Sequence, residues 1–128
     1  RALELDPYFI GAYINLADLY RASMRDPMAE TLLNKGLEAL PEAAPLHFSL
    51  GLLKVRSKNM ADALIELRRA VVLDPQNAHY RYVLAVALDS ADQRDAALAL
   101  IAEGLDLTPA NQTLLTLQQQ LQNKDATQ

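Results

Sequence analysis

The side chains that could do chemistry in this sequence are few, and their spacing keeps them apart. The two histidines, His47 and His79, each lack a second histidine or a carboxylate three or four residues away, so neither has a partner on its own helix face for holding a metal. Ser49 lies two residues from His47, which on a helix points it to a different face and rules out a nucleophile–base pair. There is no cysteine, and with it go disulfides, thiolate metal sites, haem attachment and a thiol nucleophile. Glycine-rich phosphate loops, HExxH, GxSxG and calcium-loop patterns are all missing. Asn111-Gln112-Thr113 spells a glycosylation acceptor, but Asn111 also stands where a helix needs its cap, and capping is the preferred reading. The expectation is a protein with no catalytic centre, no cofactor and no metal.

Charge and hydropathy narrow the partners. The net charge is −4, and the basic block Lys54, Arg56, Lys58, Arg68 and Arg69 is diluted by Asp62 and Glu66. Nucleic acid needs clustered positive charge, so it is not expected as a partner. No apolar run approaches the ~18–20 residues that span a bilayer. Hydrophobic residues nevertheless make up 51% of the 128, enough to bury a core.

The elements that position these residues are set by an internal repeat. Pro7, Pro41, Pro75 and Pro109 recur every 34 residues. Leu16, Leu50 and Leu84 keep the same step, as do Ala17, Gly51 and Ala85, and Ala29, Ala63 and Ala97. A large apolar column runs through Leu33, Leu67 and Ile101, and a small one through Ala2, Gly36, Ala70 and Gly104. Inside each period the spacing is helical: Tyr13, Leu16, Ala17 and Tyr20 share one face. Polar breaks at Arg25-Asp26-Pro27, Ser57-Lys58-Asn59 and Asp89 to Gln93 split each period into two helices. The predicted helices cover about 9–22, 27–40, 44–57, 60–73, 78–91, 94–107 and 111–123, with Asn77 and Asn111 as caps. Small columns let helix backbones approach, and such pairs bury their apolar faces only by stacking on neighbours.

This combination of a 34-residue period, small and large columns and a closing proline resembles the tetratricopeptide repeat, over roughly residues 1–123. The resemblance implies an all-α superhelix: a partial repeat at 1–7, full repeats at 8–41, 42–75 and 76–109, a capping helix at 110–123 and a frayed tail at 124–128. The family's aromatic near the start of the first helix is Tyr13 here, but His47 and Arg81 in the later repeats, and its later Tyr is Tyr20, then Lys54 and Leu88. These departures predict looser layers. The RNA-reading pentatricopeptide repeats are the structural competitor, disfavoured by the proline and small columns and the acidic balance.

In the family, first helices line a concave surface that holds a protein or peptide segment. Carried onto this sequence, that surface comprises Ile14, Asn15, Asp18 and Arg21, then Phe48, Leu52, Val55 and Arg56, then His79, Tyr82, Val86 and Asp89. Chaperone-binding members grip a carboxylate with Lys, Asn and Arg; here Ile14, Asp18, Ser49, His79 and Val83 stand instead, so that clamp is absent. An Asn ladder is absent too, with only Asn15 in place. The stripe from Ile14 through Phe48, Leu52, Val55 and Tyr82 to Val86 is apolar and edged by charge, which predicts a groove for an apolar peptide or helix, unless the protein's own segments cover it. Phe48 and Tyr82 are its expected anchors.

Two further expectations concern context. Residues 1–7 align with 69–75, so the sequence starts inside a repeat and reads as the C-terminal piece of a longer protein, with Leu3 and Leu5 on a leading face able to pair with a second copy. The segments 13–21 and 46–52 are also similar to repeats found behind multihaem cytochrome c regions of bacterial proteins. That would make this an accessory or assembly domain of a larger enzyme or electron carrier, in the periplasm.

Overall fold

Asparagine and proline punctuate the chain into helices. In the computed structural model, Asn77 Oδ1 accepts from the Tyr80 N–H at 3.0 Å and Asn111 Oδ1 from the Leu114 N–H at 3.0 Å, each closing an open first turn. The structure describes residues 7–22 and 26–126, and within them not the side chains at 7–9, 13, 20–22 and 125–126. The described residues form seven helices and no strand: α1 (Pro7–Ala22), α2 (Asp26–Ala39), α3 (Ala44–Arg56), α4 (Met60–Leu73), α5 (Ala78–Ser90), α6 (Arg94–Leu107) and α7 (Gln112–Ala126). The chain is all-α and repetitive, as expected. Helix α7 runs to Ala126 rather than stopping at 123, and Lys124, expected in a frayed tail, reaches Asp89 at 2.9 Å.

The breaks after α3 and after α5 use one device. Lys58 and Asp92 occupy the same repeat position and both have left-handed backbones, φ 62° and 63°. Each ends its helix with the same pair of bonds: Lys58 N–H to Val55 O and Asn59 N–H to Lys54 O, then Asp92 N–H to Asp89 O and Gln93 N–H to Leu88 O. These bonds satisfy carbonyls that a helix end leaves open.

The chain divides into two compact units, Arg1–Leu73 and Asp74–Gln128. In the first, α1 pairs with α2 and α3 with α4, and α3 also packs on α1 and α2. Its core joins Ala17, Ala29, Leu33, Leu40, Leu46, Leu50 and Leu53. In the second, α5 packs on α6 and α7, with Leu84, Leu88, Ile101, Leu114 and Leu121 fully buried, each worth roughly 2 kcal/mol of apolar transfer. The small columns are buried as predicted: Ala29, Ala63 and Ala97, and Gly36, Ala70 and Gly104. The Leu16 column is uneven. Leu50 is covered by α1 and α2, whereas Leu16 is 40% exposed, since among the described residues no helix pair precedes α1. Leu3 and Leu5, the expected leading face, lie outside the described residues.

Gly51 shows why a small residue is needed between paired helices. A Cβ there would stand 2.7 Å from Leu67 Cγ and Cδ2, inside their contact distance. At Gly104 a Cβ would run into the Arg81 Cδ and meet Leu114 Cδ1 at 2.8 Å.

Candidate peptide-binding surface

The two departures from the family aromatic do not loosen their layers. They carry buried nitrogen-bearing side chains that tie each first helix to its turn and its second helix. His47 is 8% exposed, with Nδ1 2.8 Å from Glu66 Oε1 and Nε2 2.9 Å from the Pro41 carbonyl oxygen. Arg81, one repeat later, donates from one terminal nitrogen to the Leu100 carbonyl at 3.0 Å and from the other to the Pro75 carbonyl at 2.7 Å. Pro41 and Pro75 are themselves one repeat apart, so the two latches are equivalent. His47 thus has a packing role. Among the described residues no group of three or more His, Cys, Asp or Glu could hold a metal ion.

The expected groove residues divide between the two units. In the first, Asn15 and Asp18 are exposed on α1, while Ile14 is half-buried against the core. Phe48, Leu52 and Val55 are half-buried on α3, so this face is less open than the apolar pattern implied. The side chain of Arg21 lies outside the described residues. Arg56, expected as a rim charge, bonds Asp26 at 2.9 Å, and its neighbour Lys54 bonds Glu30 at 2.8 Å. The Glu30 bond pushes the Lys54 ammonium up from its usual range.

In the second unit His79 is exposed, Tyr82 half-buried and Val86 39% exposed, all on α5. Asp89 is paired as well. It accepts from Arg94 at 2.8 Å and Lys124 at 2.9 Å, and these two bonds, Arg94 first, hold its carboxyl below the usual carboxylate range. Tyr82 forms one wall of a cleft of about 350 Å³ between α5 and α7. The other wall is Gln112, Thr113, Thr116, Leu117 and Gln120. Only a capping role was expected of this helix. The period held the signal: His79, Tyr82 and Val86 project 34 residues on to Thr113, Thr116 and Gln120. The lining is uncharged and rich in amide and hydroxyl groups, which both donate and accept. A second concavity of about 350 Å³ lies on α2, against Pro27, Met28, Thr31, Leu32 and Lys35, and contains none of the expected residues.

No protein-family model and no curated protein sequence matches the chain. Solved structures do. The first tetratricopeptide domain of Spaghetti (RPAP3), bound to an HSP90 peptide, is 18% identical with a TM-score of 0.78, covering 95% of this chain and 99% of that one. The chain has the tetratricopeptide-repeat fold. A thermophilic tetratricopeptide protein of Thermus thermophilus is 25% identical at a TM-score of 0.77, covering 90% of this chain and 64% of its own. YrrB, a tetratricopeptide protein with an unusual peptide-binding site, is 17% identical at a TM-score of 0.71, covering 86% of this chain and 57% of its own. This chain therefore spans just under two thirds of the second structure and a little over half of the third. These structures give no support to the resemblance to multihaem cytochrome regions.

In these terms α1, α3 and α5 are the first helices of tetratricopeptide pairs and α2, α4 and α6 the second, while α7, with no partner helix among the described residues, stands at the next first-helix position. Every residue named above for the groove falls on a first helix. Among the described residues no helix is long and apolar enough to cross a membrane.

Proposed function

We propose that the chain is a non-catalytic scaffold whose first helices bind a segment of another protein. The observation that carries this reading is the cleft between α5 and α7. It is an open depression of about 350 Å³, and its wall mixes an aromatic ring with amides and hydroxyls. Tyr82 offers a large rigid surface at low entropic cost, and Gln112, Thr116 and Gln120 can bond the N–H and C=O groups of an extended backbone. Two of the similar structures are described as peptide-bound or peptide-binding, which supports the same class of partner. Asn15, Asp18, Phe48, Leu52 and Val55 give the first unit a binding face of its own, more apolar than the cleft. Asp18, Ser49 and Val83 in place of carboxylate-gripping side chains direct the scaffold away from free acidic C-termini.

The test is a library of 12-residue peptides screened on the purified chain, with hits titrated by fluorescence anisotropy. Thr116 is exposed, so Thr116→Arg fills the cleft without disturbing the core. It is expected to weaken the hits at least tenfold, or about 1.4 kcal/mol. Hits that bind Thr116→Arg and Tyr82→Ser as tightly as the natural chain would remove the cleft from the proposal.

A further inference from the structure

Both nitrogens of the His47 ring point at atoms that can only accept. Nδ1 faces the Glu66 carboxylate at 2.8 Å, and Nε2 faces the Pro41 carbonyl at 2.9 Å. A neutral imidazole carries one N–H and can satisfy one of them; the imidazolium carries two and satisfies both. Arg81 shows what the position asks for, since the guanidinium at the equivalent place donates to the equivalent proline turn and to α6 with a charge that solution pH does not remove.

We propose that His47 is a proton-operated latch: protonated, it ties α3 to both the Pro41 turn and α4, and on losing its proton to solvent it keeps only one of the two bonds. The first unit then holds together more firmly in mildly acidic than in mildly alkaline solution, whereas the Arg81 latch of the second unit does not respond. This stands whether or not the chain binds a peptide.

The surroundings support the charged form. Glu66 on α4 is the strongest influence and raises the His47 pKa above its ordinary 6.5, burial opposes it, the Pro41 carbonyl adds to it, and Arg69 on α4 works weakly against it. The other elements packed on α3 direct charges elsewhere: α2 sends Glu30 to Lys54 and Asp26 to Arg56, and Asp18 of α1 is exposed. Since the folded-state value lies above the unfolded one, the latch's contribution is complete below about pH 6.5 and is lost as pH rises through the folded value.

Two measurements on the full chain decide this. In an NMR titration the assigned His47 ring is expected to titrate with a midpoint above 6.5. The melting temperature is expected to fall between pH 6 and 9. In Glu66→Gln, whose amide can donate or accept and so suits a neutral ring, that fall is expected to be lost. The variant also separates His47 from the chain's α-amine, which titrates in the same window. A His47 midpoint at or below 6.5, or an unchanged slope in Glu66→Gln, would overturn the proposal.

Discussion

Replacing Arg81 by methionine isolates what its buried guanidinium contributes to the second unit. The side chain is 4% exposed and makes three contacts: the Leu100 carbonyl at 3.0 Å, the Pro75 carbonyl at 2.7 Å and Glu103 at 3.4 Å. Glu103 is 73% exposed and stays hydrated when its partner goes, so that pair adds little. Methionine keeps most of the apolar stem and removes the donors. Pro75 is exposed and the Leu100 carbonyl stays in the α6 ladder, so what is lost is two charge-assisted hydrogen bonds, about 1.5–3 kcal/mol each, rather than the pairing of buried groups. Against this, a charge no longer has to be held away from water. The net expectation is a loss of about 2–4 kcal/mol. Urea unfolding followed by helical circular dichroism reads this directly, provided the slope is unchanged, so that the midpoint shift reports stability. A loss below about 0.5 kcal/mol would mean the latch holds nothing, and the reasoning that treats His47 and Arg81 as equivalent devices would fail with it.

Two other substitutions probe the helix pairs. Gly51→Ala forces a Cβ against Leu67 and is expected to destabilise by about 1–3 kcal/mol in the same urea assay, since a packed core resists an added methyl. Lys58→Gly is expected to stabilise by about 1 kcal/mol, because glycine adopts the left-handed φ of 62° without the strain an L side chain carries; a lower melting temperature would count against that reading.

Most of the helical framework was legible because the 34-residue period, the prolines and the capping asparagines all mark the same boundaries. The predicted 60–73 and 94–107 coincide with α4 and α6, and the rest differ by a few residues at their ends. The burial of Ala63, Leu67, Ala97 and Ile101 followed from their columns. What escaped was chemistry across the columns. His47 and Arg81 read as losses of an aromatic because their partners, Glu66 and the carbonyls of Pro41, Pro75 and Leu100, lie far along the sequence or on the backbone. The role of Gly104 was hidden for the same reason: it is small where its neighbour Arg81 is large. The candidate site was legible as a set of first-helix positions but not in character. Arg56 and Asp89 looked like rim charges, and only the fold brings Asp26, Arg94 and Lys124 to them. The polar wall on α7 was not legible because Thr116 and Gln120, one period after Tyr82 and Val86, replace an aromatic and an apolar side chain with polar ones.

The claim on which the functional account rests is that partners lie along first helices. Backbone amide NMR of the ¹⁵N-labelled chain, titrated with a peptide selected from the library, tests it residue by residue. The account predicts shifts gathered on α5 and α7 around Tyr82, Thr113, Thr116 and Gln120, or on the α1 and α3 face around Asp18 and Leu52. Shifts confined to α2, α4 and α6 would contradict it.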